Sequence, residues 1–139
     1  MAVVIQGRPI VPGQARGQVL VSVEPLSFWG GYDFESGDII DQRHPLVGAN
    51  AAGRVLALPF TRGSSTTTAV LLEAVKAGTA PAAILTTGVD TFFALAAIVA
   101  DELYGYVLPI IALKAKDFST LESGQWLCVS PEGLVQSET

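Results

Sequence analysis

Short apolar runs alternate with helical patterns through the middle of the chain. The runs at residues 54–58, 80–87 and 107–113 are rich in Val, Ile, Leu and Ala, as covered strands are. Between them, residues 69–77 and 91–103 repeat apolar side chains at helical spacing. The order strand, helix, strand, helix, strand predicts a parallel βαβαβ core with right-handed crossovers.

The second helical segment carries apolar residues almost all round: Phe92, Phe93, Leu95, Ile98 and Val99. A helix without a polar face is typical of a buried position, so we expect this one to be covered on more than one side. Gly78 is predicted to end the first helix, and Asp90 to cap the start of the second.

Both ends of the chain are rich in strand signals. Residues 3–5 and 18–23 predict two strands, joined by a Pro- and Gly-rich connection into a hairpin or a small barrel-like start. Residues 125–130 and 134–136 flank a Pro-Glu-Gly turn and predict a second hairpin, while residues 114–119 are polar and predict a turn. The expected fold is therefore α/β, of β/β/α type, with barrel-like strands around the short parallel core.

Composition narrows the class of function. The chain has 139 residues, which suits one domain over 1–139. Its net charge is -5 and its Lys and Arg residues are scattered, which argues against a nucleic-acid partner. No run reaches the roughly 18 apolar residues that span a bilayer, and the first residues lack the pattern of a secretion signal. We therefore expect a cytoplasmic protein without a membrane partner.

Two further features of the composition point to a second polypeptide. Only 15% of the residues are charged, which is low for a free monomer and predicts that a partner covers some apolar surface. Cys128 is the only cysteine, so this chain alone can form no intrachain disulfide and no Cys-rich metal or iron–sulfur site. Its apolar neighbours predict that Cys128 is a small buried hydrophobe.

The hydroxyl-rich segment at residues 58–68, called the elbow below, joins a predicted strand to a predicted helix. A helix start offers unpaired N–H groups and a partial positive charge, so Gly63, Ser64 and Ser65 stand where an anionic substrate group could be received. Gly63 allows close approach of the backbone, and Arg62 adds a permanent cation. Ordinary capping is the simpler interpretation. One hydroxyl is enough for a cap, however, and here five follow one another.

A serine at this place can accept a proton only if positive charge nearby makes its oxygen basic. The helix start and Arg62 would supply such charge. No His/Asp pair lies near the elbow to form a hydrolase triad, and the segment lacks the Lys of a Walker loop.

A loop with three aromatics and a Gly pair precedes the core, and Phe28, Trp29, Gly30 and Gly31 lie in it. These aromatics are either core plugs or the wall of a binding site, and both interpretations stay open. The sole histidine, His44, precedes a proline, which is more typical of a structural position. Histidine is, however, the one side-chain type in this chain whose ordinary pKa lies near neutrality, so His44 stays a possible member of the site wall.

The chain resembles the small, swivelling-domain subunit of the aconitase X family. The resemblance is carried, in this order, by residues 17–22, 25–31, 37–41, 44–45, 53–56, 62–65 and 78–84. It implies a hydro-lyase that is active only with a large subunit, in a heterodimer or larger assembly. The implied iron–sulfur cluster is bound by that large subunit, and this chain binds no metal.

The resemblance also implies roles for residues of the elbow. Ser64 matches the serine that acts as base in related aconitases, with Ser65 as a hydrogen-bonding neighbour. Thr66 stands where aconitase has an Arg that clamps the substrate carboxylate, and Arg62 precedes the serines instead. We therefore expect Gly63, Ser65, Arg62 and Thr66 to line the substrate site.

The implied substrate is a small hydroxy acid, with cis-3-hydroxy-L-proline favoured because the chain has few basic residues for a phosphorylated substrate. The alternative within the family is (R)-5-phosphomevalonate. A non-catalytic, anion-binding regulatory domain would use the same helix start without chemistry. A phosphohistidine-type domain is disfavoured, because no helical pattern follows His44.

Overall fold

The computed structural model describes residues 2–62 and 66–138. In these ranges eight strands form one sheet in the order β1-β8-β7-β3-β4-β5-β6-β2. The elements are β1 (Val4–Gln6), β2 (Arg8–Val11), β3 (Ala15–Val21), β4 (Val55–Ala57), α1 (Thr66–Ala77), β5 (Ala83–Thr86), α2 (Thr91–Tyr104), β6 (Ile110–Ala112), α3 (Ala115–Phe118), β7 (Trp126–Val129) and β8 (Leu134–Ser137). Only Gly7 separates β1 from β2, which are the two edge strands, so the sheet nearly closes into a barrel.

The predicted parallel core is confirmed. Strand β4 pairs in parallel with β3 and β5, and β5 pairs in parallel with β6. Side chains of β4 alternate between two clusters: Leu56 joins the helices and the 26–51 loops, whereas Val55 joins the barrel interior. Both faces of the central strands are therefore covered, which explains their unbroken apolar sequence.

Strand β3 links the two halves of the sheet. Its first part, from Ala15 to Gln18, pairs antiparallel with β7, and its second part, from Val19 to Val21, pairs in parallel with β4. The predicted hairpin between β7 and β8 is confirmed. The prediction of an N-terminal hairpin is wrong, because β1 pairs with β8, and β3 pairs with β4 and β7.

Strand β2 lies in the connection that the sequence describes as a Pro- and Gly-rich link. It pairs antiparallel with β6, with a register shift between Pro9 and Val11. Proline is tolerated on an edge strand and at a bulge, where no ladder hydrogen bond is lost. The barrel-like start is thus confirmed, although the strand that closes it was not predicted.

Helix α2 has one covered side. Its buried residues Phe93, Ala96, Ala97 and Ala100 pack on the core, whereas Leu95 is 45% and Ile98 54% exposed. The expectation of cover on more than one side is wrong for the described residues, because α2 packs against α1, β2, β6 and Phe28 while Leu95 and Ile98 stay at the surface.

Residues 114–119 also differ from the prediction. They form the short helix α3, whose Phe118 is buried in the barrel-side cluster, in place of a polar turn. None of the helices in the described ranges has the length and apolar character needed to cross a membrane.

Candidate active site

The elbow lies at one edge of the parallel part of the sheet. Strands β3, β4 and β5 run in the same direction, so their carboxyl ends, at Val21, Ala57 and Thr86, meet at this edge. Ligands of open α/β sheets bind beyond such ends. The chain leaves β4 here and enters α1 at Thr66. Gly63, Ser64 and Ser65 lie outside the described residues, between Arg62 and Thr66.

Hydrogen bonds fix the entry side of the elbow. The Pro59 carbonyl oxygen accepts from the backbone N–H and the hydroxyl of Thr87, both at 3.1 Å. The Arg62 N–H donates to the Leu26 carbonyl oxygen at 3.2 Å. Thr61 donates from its N–H at 2.7 Å and from its hydroxyl at 2.9 Å to one oxygen of Asp90. The residues before the serines are therefore held by two separate segments, the β5–α2 connection and the loop at Leu26.

The threonines on the exit side have different surroundings. Thr66 begins α1 and is exposed, whereas Thr67 is buried. The Thr68 hydroxyl donates to the Phe92 carbonyl oxygen at 3.1 Å and so ties α1 to α2. Two of the hydroxyl-bearing residues that follow one another in the elbow, Thr67 and Thr68, therefore contribute to helix packing. Thr66 lies at the surface.

An apolar groove runs beside the start of α1. It has a volume of about 250 Å³ and is lined by Trp29, Phe34, Thr66, Ala69, Val70 and Glu73. Trp29 is 70% exposed. The predicted substrate contact Thr66 and the predicted wall residue Trp29 therefore share one surface.

The other aromatic of the predicted wall, Phe28, is fully buried. It stacks on Tyr32 at a centroid distance of 5.2 Å and meets Phe93 edge-on at 5.6 Å. Phe28 is thus a residue of the hydrophobic core and not of a binding-site wall. Gly30 adopts a positive φ of 77°, and a Cβ on Gly31 would overlap the Ser27 carbonyl oxygen, so both glycines serve the turn that exposes Trp29.

His44 is held inside its loop and is 6% exposed. Its Nδ1 accepts from the Leu46 N–H at 3.1 Å, so the proton lies on Nε2, which is 3.2 Å from the Glu24 carbonyl oxygen. Both ring nitrogens are engaged by backbone groups, and this arrangement supports a structural role.

The described residues do not fit a metal cluster. Among them, no group of three or more His, Cys, Asp and Glu side chains is placed to hold a metal ion. Cys128, in β7, donates from its thiol to Glu138 at 3.2 Å. The described residues therefore offer no set of ligands for an iron–sulfur cluster.

Asp90 is the neighbour of the elbow whose role the sequence revealed only in part. Its predicted function as N-cap of α2 is confirmed, since it accepts from the N–H groups of Phe92 and Phe93. Its contact with Thr61 joins residues 29 positions apart, and no local pattern signals such a contact. The same holds for Phe34 and Glu73, which are distant in the sequence and line one groove in the fold.

The family model described as the aconitase X swivel domain matches residues 4–137. A cis-3-hydroxy-L-proline dehydratase of Pseudomonas aeruginosa is 48% identical over 119 residues, which are 86% of this chain and 20% of that protein. The phosphomevalonate dehydratase small subunit of Thermococcus onnurineus is 38% identical over 135 residues, which cover 96% of this chain and 98% of the relative.

The crystal structure of Thermococcus kodakaraensis aconitase X in its holo-form is also similar. It superposes with a TM-score of 0.87 at 33% sequence identity and covers 98% of each chain. The chain spans about a fifth of the length of the hydroxyproline dehydratases that it matches.

Proposed function

The chain belongs to the aconitase X swivel-domain family, and on this premise we propose that it is the small subunit of a hydro-lyase that dehydrates a small hydroxy acid. The observation that carries this proposal is the position of the elbow at the carboxyl edge of β3, β4 and β5, where Arg62 and Thr66 flank the sequence Gly63-Ser64-Ser65. An edge of this kind, followed by a helix start, is suited to an anionic substrate.

We propose Ser64 as the group that accepts the substrate proton. Dehydration of a 3-hydroxy acid breaks the C–H bond beside the carboxylate and the C–O bond at the next carbon, and it yields water. A serine hydroxyl is a weak base in water, but positive charge stabilises its alkoxide form. The N-terminal end of α1 carries a partial positive charge and Arg62 a full one, which favours a basic oxygen at position 64.

The neighbours of Ser64 are assigned to substrate binding. Arg62 is exposed, and its guanidinium is assigned to a carboxylate of the substrate; Thr66 is exposed as well and lines the apolar groove. Gly63 would allow the substrate close to the backbone, and Ser65 would donate a hydrogen bond. Trp29, which lines the same groove, would cover an apolar part of the substrate or of the partner.

We propose that a larger, cluster-bearing subunit completes the site. The relatives from archaea are called small subunits, and the hydroxyproline dehydratases are about five times as long as the matched region. The described residues of this chain offer no site for a metal ion, so the iron–sulfur cluster is assigned to the partner.

The favoured substrate is cis-3-hydroxy-L-proline. The Pseudomonas relative that acts on it is 48% identical, compared with 38% for the Thermococcus small subunit. Phosphomevalonate remains the second candidate, because this chain covers 98% of that Thermococcus subunit and so matches a separate small subunit from end to end.

Reconstitution tests the proposal. We expect the purified chain to fold and to show no dehydratase activity, because half of the site is absent. Mixing it with the large subunit from the same organism should give turnover of cis-3-hydroxy-L-proline and at least about 100-fold less turnover of 5-phosphomevalonate. The reason is that Arg62 is the one Lys or Arg in the sequence of the elbow, whereas a phosphate favours several charge-assisted contacts. Product formation in each mixture is the measurement.

The contrary outcomes are distinct. Dehydratase activity of the isolated chain would contradict the proposal that a larger subunit completes the active site. Preference for 5-phosphomevalonate would reverse the substrate assignment. Calorimetric binding of hydroxy acids or phosphate by the complex without turnover would identify an anion-binding regulatory domain instead.

A further inference from the structure

Asp90 divides its two carboxylate oxygens between two segments. One oxygen, Oδ1, accepts from the N–H groups of Phe92 at 3.1 Å and Phe93 at 3.2 Å, which caps α2. The other, Oδ2, accepts from the N–H of Thr61 at 2.7 Å and from its hydroxyl at 2.9 Å. Asp90 is only 8% exposed. A single buried carboxylate therefore joins the first turn of α2 to the entry of the elbow.

The cap alone does not account for a carboxylate at this position. Asn caps helices as well as Asp, and a cap needs one acceptor oxygen. Burial of a charged group is unfavourable unless donors surround it, and Thr61 supplies two of the four donors that Asp90 has among the described residues. The second carboxylate oxygen is thus explained by the elbow and not by α2.

The exit side of the elbow is attached to the same turn. The Thr68 hydroxyl donates to the Phe92 carbonyl oxygen at 3.1 Å. Residues 63–65 therefore lie between two anchors, Thr61 and Thr68, which both bind to the turn formed by Asp90 and Phe92. Any shift of Thr61 relative to α2 would therefore move the entry of the elbow, whereas Thr68 would stay bonded to Phe92.

We infer that Asp90 is a positioning residue, which acts through Thr61 to hold the entry of the elbow against the first turn of α2. This inference rests on the proposed role of Ser64 for its consequence in catalysis, but the link between Asp90 and Thr61 stands on its own distances. Misplacement of a catalytic group by about 1 Å can lower a rate by about 100-fold.

Asp90→Asn separates the two functions of this side chain. The Asn side-chain oxygen still caps α2, but its NH₂ group faces the Thr61 N–H, and two donors cannot bond to each other. In the complex with the large subunit, we expect kcat for cis-3-hydroxy-L-proline to fall by about 10- to 100-fold, with KM changed less than about 3-fold. Hydrogen exchange at the Thr61 amide should accelerate by at least about 10-fold, while the Phe92 and Phe93 amides keep their protection.

Three further variants control this experiment. Asp41→Asn makes the same chemical change at a carboxylate that accepts from the Arg43 N–H, and it should leave kcat and Thr61 exchange unchanged. Val135→Ala, in the barrel interior, should lower stability without lowering kcat. Thr61→Val keeps Asp90 and its cap but removes one bond, so a smaller loss of kcat in the same direction is expected.

The outcomes separate this inference from the proposed function. Unchanged Thr61 exchange in Asp90→Asn overturns the inference whatever the activity, and so does faster exchange with an unchanged kcat. If Asp90→Asn does not assemble, an unchanged kcat in Thr61→Val overturns it. An inactive wild-type complex would contradict the proposed function alone, and Thr61 exchange would still decide whether Asp90 holds the elbow.

Discussion

Neighbouring threonines of the elbow perform different tasks because their side chains meet different surfaces. Thr67 is buried, Thr68 bonds to α2, and Thr66 borders the apolar groove beside Trp29. The number of hydroxyls in the sequence indicated a special segment, but only the contacts divide them into packing and surface groups. Likewise, Phe28 and Trp29 are adjacent aromatics, and the turn at Gly30 and Gly31 sends one into the core and the other to the surface.

Cys128 and Glu138 allow a prediction at the same scale. The hydrogen bond from Cys128 to Glu138 raises the pKa of the thiol, because it holds the proton on sulfur beside a negative charge. In Glu138→Gln this charge is absent, so the pKa of Cys128 should fall toward its ordinary value. More thiolate would then be present at pH 8, and alkylation of Cys128 by iodoacetamide should be faster.

The rate of alkylation measured from pH 7 to 10 gives the pKa of Cys128 directly. Glu132→Gln removes a carboxylate from the turn between β7 and β8, where Glu132 accepts from Gln6 through its backbone carbonyl oxygen, and it serves as the matched control. An equal or higher pKa in Glu138→Gln would show that Glu138 does not hold the thiol proton.

At the scale of elements, the helices and the parallel strands follow from local pattern, whereas the barrel closure does not. Val55–Ala57 and Ala83–Thr86 are apolar because both faces of these strands are covered. Such an apolar run can be recognised in the sequence without knowledge of the tertiary contacts. Strand β2 could not be predicted from the sequence, because its pairing with β6 joins distant parts of the chain and because Pro9 disfavours a strand. The contact between Asp90 and Thr61 was missed for the same reason: it depends on tertiary structure.

Helix α2 supplies a prediction at this scale. Its apolar residues divide into a buried side, which includes Phe93, and an exposed side, which includes Ile98. Phe93→Ala should lower the free energy of unfolding by about 3 to 5 kcal/mol, because it leaves a cavity against Phe28. Ile98→Gln should change it by no more than about 0.5 kcal/mol.

Urea unfolding of the isolated chain, with a common slope for the variants, is the measurement. A loss in Ile98→Gln as large as that in Phe93→Ala would mean that the exposed side of α2 is covered in the free chain, as the sequence pattern had indicated.

At the scale of the whole molecule, one sheet serves two purposes. Its antiparallel strands close the barrel around one cluster, and its parallel strands present their carboxyl ends, with the elbow, at a single edge. The family resemblance, which the sequence carries in ordered segments, is confirmed over residues 4–137. The roles of individual elbow residues stay predictions, because Gly63, Ser64 and Ser65 lie outside the described residues.

The most direct test of the account is turnover by the reconstituted complex that carries Ser64→Ala. We expect assembly and the binding of cis-3-hydroxy-L-proline to be retained and kcat to fall by at least about 100-fold, since the group that accepts the proton is gone. Ser65→Ala, a change of the same size one residue away, should lower kcat by a smaller factor. A near-normal kcat in Ser64→Ala would contradict the account, because the substrate proton would then go to another group.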